Sequence, residues 1–302
     1  MKITYLNPEK ENWFLVTWDI SNKCNYRCSY CPDFLHDGSS GWPDFEKVTR
    51  FVDTLNEQYP DKKICFRFSG GEPTYWKRFD ELGKYIKAKG NYFSFLTNGS
   101  QTVEYFQNIK DHTDGVIISY HSEFAETQHI IDVANTLSCP VSINLMLVPE
   151  KFDTVVDIAK QIYENSNAAI WPKVILTKTG DLGLTNEPKT YTEEQQHLIK
   201  HWPYFRKLDE SKIHRGGIAL NDKPITANEI ILLGLNKYSG WKCYGGIDSL
   251  HVSAWGEVYR SDCKQNKIGH IDDFIRPTEP TVCSKQICGC LSDLYLRKEL
   301  EI

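Results

Sequence analysis

Three cysteines near the amino end form the part of this chain most able to do chemistry. Cys24, Cys28 and Cys31 lie within eight residues, directly after the strand-like run Phe14–Ile20. A loop this short can place three thiolates on one face of an iron–sulfur cluster, but it supplies no fourth. One iron would then be open to a ligand from outside the protein. The alternative for this loop is a zinc site in which a distant residue supplies the fourth ligand.

The spacing of these cysteines, with the aromatic Tyr30 just before the last one, resembles the signature of the radical SAM enzymes. The resemblance implies that Cys24, Cys28 and Cys31 hold a [4Fe–4S] cluster whose open iron chelates S-adenosylmethionine (SAM). In that family an electron from the cluster cleaves the sulfonium and gives a 5′-deoxyadenosyl radical. The cofactors supply this chemistry, while the protein supplies binding, orientation and shielding.

A second motif of the same family follows the second predicted strand, at Gly70, Gly71, Glu72 and Pro73. Paired glycines let a backbone approach a ligand closely, and a fixed carboxylate can bind an ammonium group. The resemblance implies that this segment holds the amino group of SAM. Taken alone, the motif could equally be a Gly-Gly turn beside a solvated glutamate.

Polar residues also close other predicted strands. The resemblance implies that Tyr30 contacts adenine and that strand-end side chains reach the ribose or carboxylate of SAM, although serine and asparagine are common there for turn geometry alone. The candidates at strand ends are Asn98, Ser119 and Asn144, with His121 and Glu123 at the expected cavity mouth as contacts to SAM or substrate.

Five of the ten cysteines lie after residue 240: Cys243, Cys263, Cys283, Cys288 and Cys290. The hairpin-like segment between the first two resembles the SPASM or shorter twitch extension of radical SAM enzymes, which holds an auxiliary cluster. Five thiols cannot ligate two four-cysteine clusters, so we expect one auxiliary [4Fe–4S] cluster on Cys243, Cys263 and two of the last three. The remaining thiol would be structural or a hydrogen-atom donor to a substrate radical. A zinc knuckle is the alternative.

The pattern between Trp13 and Leu176 predicts an α/β fold, because short β-branched or aromatic runs alternate with longer amphipathic segments. Six strands are too few for an eight-stranded barrel, so we predict a partial (β/α)6 TIM-like barrel with a small C-terminal cysteine-rich extension. Parallel barrels carry their chemistry after the strand ends, where the motifs above fall. The predicted strands are 14–20, 64–69, 92–97, 116–120, 141–147 and 173–177, and the helices are 44–59, 76–89, 101–110, 124–137 and 152–165.

Three units follow from this pattern. Residues 1–177 form the predicted radical SAM core, and residues 178–212 form a polar linker over 178–191 followed by a helix over 192–208 that begins with Thr192 as N-cap. Residues 213–302 form the predicted twitch/SPASM-like domain, with antiparallel strands near 213–221 and 250–260.

The amino-acid composition limits the classes of binding partner that we expect. A net charge of −5, from 35 basic and 40 acidic residues, gives no electrostatic case for nucleic acid. No apolar run is long enough to span a bilayer and no secretory signal pattern is visible, so we predict a cytoplasmic protein without a membrane partner. Cytoplasmic thiols stay reduced, which favours metal ligation over disulfides. Cys65 and Cys139 are predicted to be ordinary buried thiols.

The leading hypothesis is a radical SAM enzyme that abstracts a hydrogen atom from a small polar substrate such as a sugar or an aminoglycoside. The outcome would be oxidation if an auxiliary cluster accepts an electron, or epimerisation if a cysteine returns a hydrogen. The alternatives are a radical SAM enzyme that modifies a peptide and a non-catalytic iron–sulfur or zinc module. The resemblance also implies an electron donor such as flavodoxin or ferredoxin.

Overall fold

Alternating strands and helices make up most of the protein, whose computed structural model describes residues 1–179, 183–188, 190–206 and 217–300. The helices are α1 Phe45–Gln58, α2 Phe79–Ala88, α3 Val103–Ile109, α4 Thr127–Thr136, α5 Phe152–Asn165, α6 Glu193–Lys200, α7 Ala227–Leu232 and α8 Leu291–Leu294. The strands are β1 Lys2–Tyr5, β2 Trp13–Ser21, β3 Lys63–Gly70, β4 Tyr92–Thr97, β5 Gly115–Tyr120, β6 Val141–Leu147, β7 Ala169–Val174, β8 Leu176–Thr179, β9 Gly183–Pro188, β10 Ile218–Leu220, β11 Lys223–Ile225, β12 Lys242–Cys243, β13 Ser249–Val252, β14 Glu257–Tyr259, β15 Lys267–His270, β16 Asp273–Phe274, β17 Thr281–Val282 and β18 Lys298–Glu299.

The strands β2 to β7 lie side by side in chain order and are all parallel. The helices α1 to α5 connect them, as the alternating pattern predicts. The first five predicted strands fall on β2 to β6, but the sixth prediction, 173–177, is wrong in position. The strand β7 begins at Ala169 and contains Pro172, which a central strand would exclude; β7 tolerates it because it is the edge strand of the sheet.

One face of this sheet is apolar and packs against the helices. Phe14, Val16 and Trp18 of β2 alternate with residues of the other face, as do Phe66 and Phe68 of β3, and all five belong to the main buried core. Because successive strand residues point to opposite faces, the intervening positions line the second face. We call this second face the polar face; it carries Thr17, Asp19, Arg67, Ser69, Ser119, Asn144, Lys173 and His251.

The C-terminal part of the chain completes this sheet instead of standing apart from it. The strand β13 pairs in parallel with β2, and β14, β15 and β16 follow in antiparallel order, which gives ten strands in all. A second sheet has the order β11-β10-β1-β18-β12-β17, so β1 pairs with strands from the predicted C-terminal unit.

The predicted linker over 178–191 is wrong for the described part of that segment, because β8 and β9 form an antiparallel hairpin there. The following helix, α6, begins after Thr192, whose side chain accepts a hydrogen bond from the Gln195 N–H in a capping box, as predicted. It ends at Lys200, before Pro203, and not near residue 208; residues 207–216 lie outside the described part of the chain. No helix among the described residues has the length and apolar character needed to cross a membrane.

Candidate active site

The loop with the three N-terminal cysteines follows β2 and is folded back on itself by Asn22. The Asn22 side chain is buried and donates to the Phe34 carbonyl at 3.2 Å and to Ser39 Oγ at 2.9 Å, while its Oδ1 accepts from the Ser40 N–H at 2.9 Å. Within the loop the Cys31 N–H donates to the Cys28 carbonyl at 3.0 Å. These contacts fix both ends of the cysteine loop beside the end of β2. Sequence reasoning missed Asn22.

Gly70 and Gly71 are required by the close approach of this loop. The Gly71 N–H donates to the Ser21 carbonyl at 2.7 Å and the Glu72 N–H to the Lys23 carbonyl at 2.8 Å. A Cβ atom on Gly70 would overlap the Ser21 carbonyl, and one on Gly71 would overlap the Lys23 carbonyl. Gly70 also has a φ of +112°, which favours glycine. The glycines therefore let the end of β3 pack against the start of the cysteine loop.

The Glu72 carboxylate stabilises the end of β3 where it packs against the cysteine loop. It is buried, and it accepts hydrogen bonds from Thr74 Oγ1 at 2.6 Å, Thr97 Oγ1 at 2.8 Å and the Asn98 N–H at 2.6 Å. Burial raises the pKa of Glu72. Its side chain also caps the short turn that begins at Pro73. Glu72 thus ties the end of β3 to the end of β4, whereas the sequence suggested a direct contact with an ammonium group.

A pocket of about 180 Å³ opens where these segments meet. The three cysteines line one side of it, and the ends of β3, β4 and β5 line the other. The Asn98 side chain lies with its Nδ2 4.0 Å from Cys24 Sγ and donates to Asn25 Oδ1 at 2.8 Å. The predicted site residues among the lining are Cys24, Cys28, Cys31, Gly70, Gly71, Asn98, Ser119 and His121. Asn144 is the β6 partner of Ser119 and is not in that lining.

Tyr30 pairs with His121 beside the pocket. The Tyr30 hydroxyl lies 2.6 Å from His121 Nδ1, and the two rings stack with centroids 5.8 Å apart. Burial lowers the pKa of His121 to about 4, so the ring is neutral at physiological pH and shares one hydrogen bond with the phenol hydroxyl. Glu123 accepts from the Ser29 N–H at 2.8 Å. Both predicted residues of this loop therefore tie the cysteine loop to the end of β5.

The aromatic residue that lines the pocket is Tyr26, which sequence reasoning missed. Its ring stacks on the exposed Phe124, with centroids 4.8 Å apart. Tyr30, predicted as the adenine contact, is not among the pocket-lining residues. The position of Tyr26 inside the cysteine motif was the available signal.

A second pocket collects four of the five C-terminal cysteines: Cys243, Cys263, Cys283 and Cys288. Cys290, the fifth, is not in its lining. Cys243 lies in β12, and Cys283 follows β17, where its N–H donates to the Trp241 carbonyl at 2.8 Å. The second sheet thus brings together thiols that are up to 45 residues apart in sequence.

Backbone hydrogen bonds hold the other two thiols of this pocket in place. The Cys263 N–H donates to Asp293 Oδ2 at 2.6 Å, and the Cys288 N–H donates to the Asn236 carbonyl at 2.8 Å. The Ser261 hydroxyl lies 3.2 Å from Cys263 Sγ. The two cysteine-bearing loops are therefore fixed by contacts within the C-terminal part itself.

The thiols of both pockets are neutral in the metal-free protein. Burial raises the pKa of Cys28 to about 12 and that of Cys263 to about 11. Buried thiols stay protonated until a metal centre displaces the protons. Among the described residues no three Cys, His, Asp or Glu side chains converge on a single metal ion. Sets of three and of four cysteines are donor sets that iron–sulfur clusters use, and a set of four is also one that zinc uses.

A polar chain on the polar face connects the two pockets. Ser69 of the first pocket donates to Asp19 Oδ1 at 2.8 Å, and the other Asp19 oxygen lies 3.5 Å from His251 Nε2. His251 Nδ1 lies 3.1 Å from Asp262 Oδ1, and the Asp262 N–H donates to Asp293, which lines the second pocket.

His251 is the centre of this chain and was missed from the sequence. It is 4% exposed, and its Nε2 has no hydrogen-bond partner among the described residues. Burial opposes its protonation, but Asp262 and Asp19 outweigh burial and raise its pKa. The available signal was the position of His251 between Leu250 and Val252, which places it on the face opposite to the core.

Comparison with known proteins agrees with this architecture. The family model described as the Radical SAM superfamily matches residues 18–162. An S-adenosylmethionine-dependent nucleotide dehydratase of a Thermoplasmatales archaeon (strain ISO4-H5) is 33% identical over 87 residues, which are 28% of this chain and 29% of that protein. Three further curated relatives also match part of the chain. In all four, the aligned segment covers between 23% and 34% of the relative's length.

Solved structures share the fold. Native anSMEcpe with bound AdoMet gives a TM-score of 0.59 at 19% identity, over 86% of this chain and 78% of that one. Streptococcus suis SuiB bound to the precursor peptide SuiA gives a TM-score of 0.54 at 14% identity, over 88% of this chain and 65% of that one. Residues 18–162 therefore match the radical SAM superfamily.

Proposed function

We propose that this protein is a radical SAM enzyme whose Cys24, Cys28 and Cys31 hold a [4Fe–4S] cluster. The observation that carries the proposal is the convergence of all three thiols with Gly70 and Gly71 on one pocket. A cluster and SAM bound there would supply the 5′-deoxyadenosyl radical. The protein contributes a backbone that approaches closely at the glycines, and an Asn98 amide beside Cys24 Sγ. Glu72 positions both the glycine segment and Asn98.

We further propose that β2 to β7 form a partial (β/α)6 barrel. Burial and the guanidinium of Arg67 lower the pKa of Lys173 to about 8. Arg67 lies on β3 and Lys173 on β7, four strands away, which is a separation of roughly 19 Å in a flat sheet. An interaction across this backbone separation requires both long side chains to reach toward each other over the polar face, as they would do inside a curved sheet.

The same proposal assigns residues 1–177 to the core, 178–212 to a connection and 213–302 to a twitch/SPASM-like extension. In this assignment Cys243, Cys263, Cys283 and Cys288 hold one auxiliary [4Fe–4S] cluster, because these four line one pocket. Cys290 is then the remaining thiol. Burial and the nearby carboxylates of Asp293 and Asp262 raise the pKa of Cys290. It would be structural or the hydrogen-atom donor.

The polar face between the two pockets suits a small polar substrate and favours oxidation. A substrate carbon that bears a hydroxyl would lose a hydrogen atom to the deoxyadenosyl radical. The resulting radical would lose its hydroxyl proton to His251 and one electron to the auxiliary cluster, which leaves a carbonyl. Asp19 and Asp262 raise the pKa of His251, which favours proton uptake, and the Nε2 atom makes no hydrogen bond among the described residues. Epimerisation through Cys290 and modification of a peptide are the other outcomes of the same chemistry. Flavodoxin or ferredoxin in the cytoplasm would supply the electron for SAM cleavage.

Replacement of Cys28 tests the proposal most directly. We expect the anaerobically reconstituted protein to release 5′-deoxyadenosine from SAM and dithionite, and Cys28→Ala to lose at least 100-fold of this rate because an iron loses its thiolate. Iron and sulfide counts and chromatographic detection of the nucleoside provide the measurement. Cys139→Ala is the matched control, because Cys139 lies outside both pockets; it is half-buried, whereas the sequence predicted a buried thiol. Release that persists in Cys28→Ala would show that the first loop is not the reactive site.

A further inference from the structure

Lys298 is a buried cation in the wall of the second cysteine pocket. Only 2% of the residue is exposed, and it lies directly opposite Cys243 where β18 pairs with β12. It lines the pocket together with Cys243, Cys263, Cys283 and Cys288. A lysine in this position is unusual, because lysine is almost never fully buried unless its charge has a partner.

The protein fixes the Lys298 ammonium without neutralising it. Its Nζ donates to the backbone carbonyls of Asp293 and Leu296, the latter at 3.2 Å, and lies 4.9 Å from the centre of the Tyr238 ring. In the part of the chain that the structure describes, no carboxylate lies within ion-pair distance of this Nζ. An ammonium has three donors, so one remains after the two carbonyls.

A buried charge without a counter-ion is costly, because water no longer solvates it. The four thiols of the pocket can remove this cost if they become thiolates around a metal centre. Four thiolates around a [4Fe–4S] core carry a net negative charge, and reduction of the core adds another. Charge and burial thus point to an anionic occupant.

We propose that Lys298 is the built-in counter-ion of an auxiliary cluster in the second pocket and that it raises the reduction potential of that cluster. The inference rests on the proposed auxiliary cluster. A fixed positive charge close to the sulfurs stabilises the reduced form more than the oxidised form, because the reduced form is more negative. Lys298 acts in this role through its charge and does not ligate the cluster. Its effect would make a cluster in the second pocket a better electron acceptor.

The test is a redox titration of the reconstituted full-length protein, followed by electron paramagnetic resonance, on Lys298→Met and Lys298→Arg. We expect Lys298→Met to change the reduction equilibrium of the second cluster at least tenfold toward the oxidised form, which is ~59 mV for one electron. Lys298→Arg should stay near the wild type because it keeps the charge. Lys285→Met is the matched control, since Lys285 lines the same pocket but is exposed to solvent. The N-terminal cluster is the internal reference.

Each outcome separates this inference from the proposed function. Iron for only one cluster in the wild type overturns the auxiliary cluster itself and the inference with it, whereas the proposed N-terminal site still stands on 5′-deoxyadenosine release. Two clusters with equal shifts in Lys298→Met and Lys285→Met overturn the inference alone. Failure of Lys298→Met to load the second cluster supports the inference if Lys298→Arg loads it. Failure of both variants shows a packing role and overturns it.

Discussion

At the scale of single residues, several polar side chains around the pocket bind neighbouring protein groups. Glu72, His121 and Glu123 each spend their polar atoms on neighbouring protein groups, and they join the ends of three strands to the cysteine loop. The sequence identified these residues because their types and places were distinctive. It could not reveal their roles, because the orientation of a side chain at a strand end depends on the neighbouring strand, which is distant in sequence.

His121 predicts a pH dependence of stability. Its folded-state pKa of about 4 lies below the ordinary value, so the unfolded chain binds a proton on this ring first as the pH falls. The free energy of unfolding therefore decreases as the pH falls from 6.5 to 4. Between pH 7 and pH 5 this histidine should lower it by about 2 kcal/mol.

Denaturant unfolding of the metal-free protein at pH 7 and pH 5 measures this effect. His121→Gln should lose less stability over that interval than the wild type, because glutamine binds no proton. His270→Gln provides the control, since His270 is exposed and distant from the pocket. An identical pH loss in His121→Gln and wild type would contradict the prediction.

At the scale of elements, the strand–helix alternation could be predicted from sequence because each strand buries its own apolar residues against its own helices. The prediction placed β7 too late, and the strand contains Pro172 because it lies at the edge of the sheet, which is a property of the sheet and not of the strand. The pairing of β13 with β2 was also invisible, because nothing local to either strand encodes a partner so distant. The hairpin of β8 and β9 was hidden by its polar composition.

Gly71 tests the packing of one element on another. In Gly71→Ala the new methyl group would overlap the Lys23 carbonyl, so the cysteine loop must move. Overpacking of this kind costs about 1–3 kcal/mol, and we expect at least a tenfold loss of 5′-deoxyadenosine release.

Thermal unfolding and the cleavage assay measure both effects. Gly115→Ala is the matched control, because its added methyl group would have no neighbour closer than 3.8 Å. Full activity in Gly71→Ala would show that the loop tolerates a shift and that the glycine is not needed for close approach.

At the scale of the whole molecule, the N-terminal and C-terminal parts are interleaved. The strand β1 lies in the second sheet, and β13 to β16 extend the first. The predicted division into core and extension describes the order of the motifs along the chain, but each of the two larger sheets contains strands from both parts.

This interleaving predicts that the core does not fold well alone. A chain cut after residue 206 would lose β13 and expose the backbone edge of β2, which favours aggregation. We expect size-exclusion chromatography to show aggregates and calorimetry to show no cooperative transition. A chain cut after residue 300 serves as the control. A monodisperse, cooperatively unfolding 1–206 fragment would contradict the prediction.

The contact between β2 and β13 also determines the order in which parts of the fold can form. The Thr17 hydroxyl donates to the Leu250 carbonyl at 3.1 Å, across 233 residues of sequence. During synthesis the ribosome must release the chain through β13 before β2, which leads into the cysteine loop, can pair with this neighbour. Contacts between such distant segments form slowly. The cluster proposed for the amino-terminal thiols would therefore gain its complete protein surroundings only after β13 has been synthesised and has paired with β2.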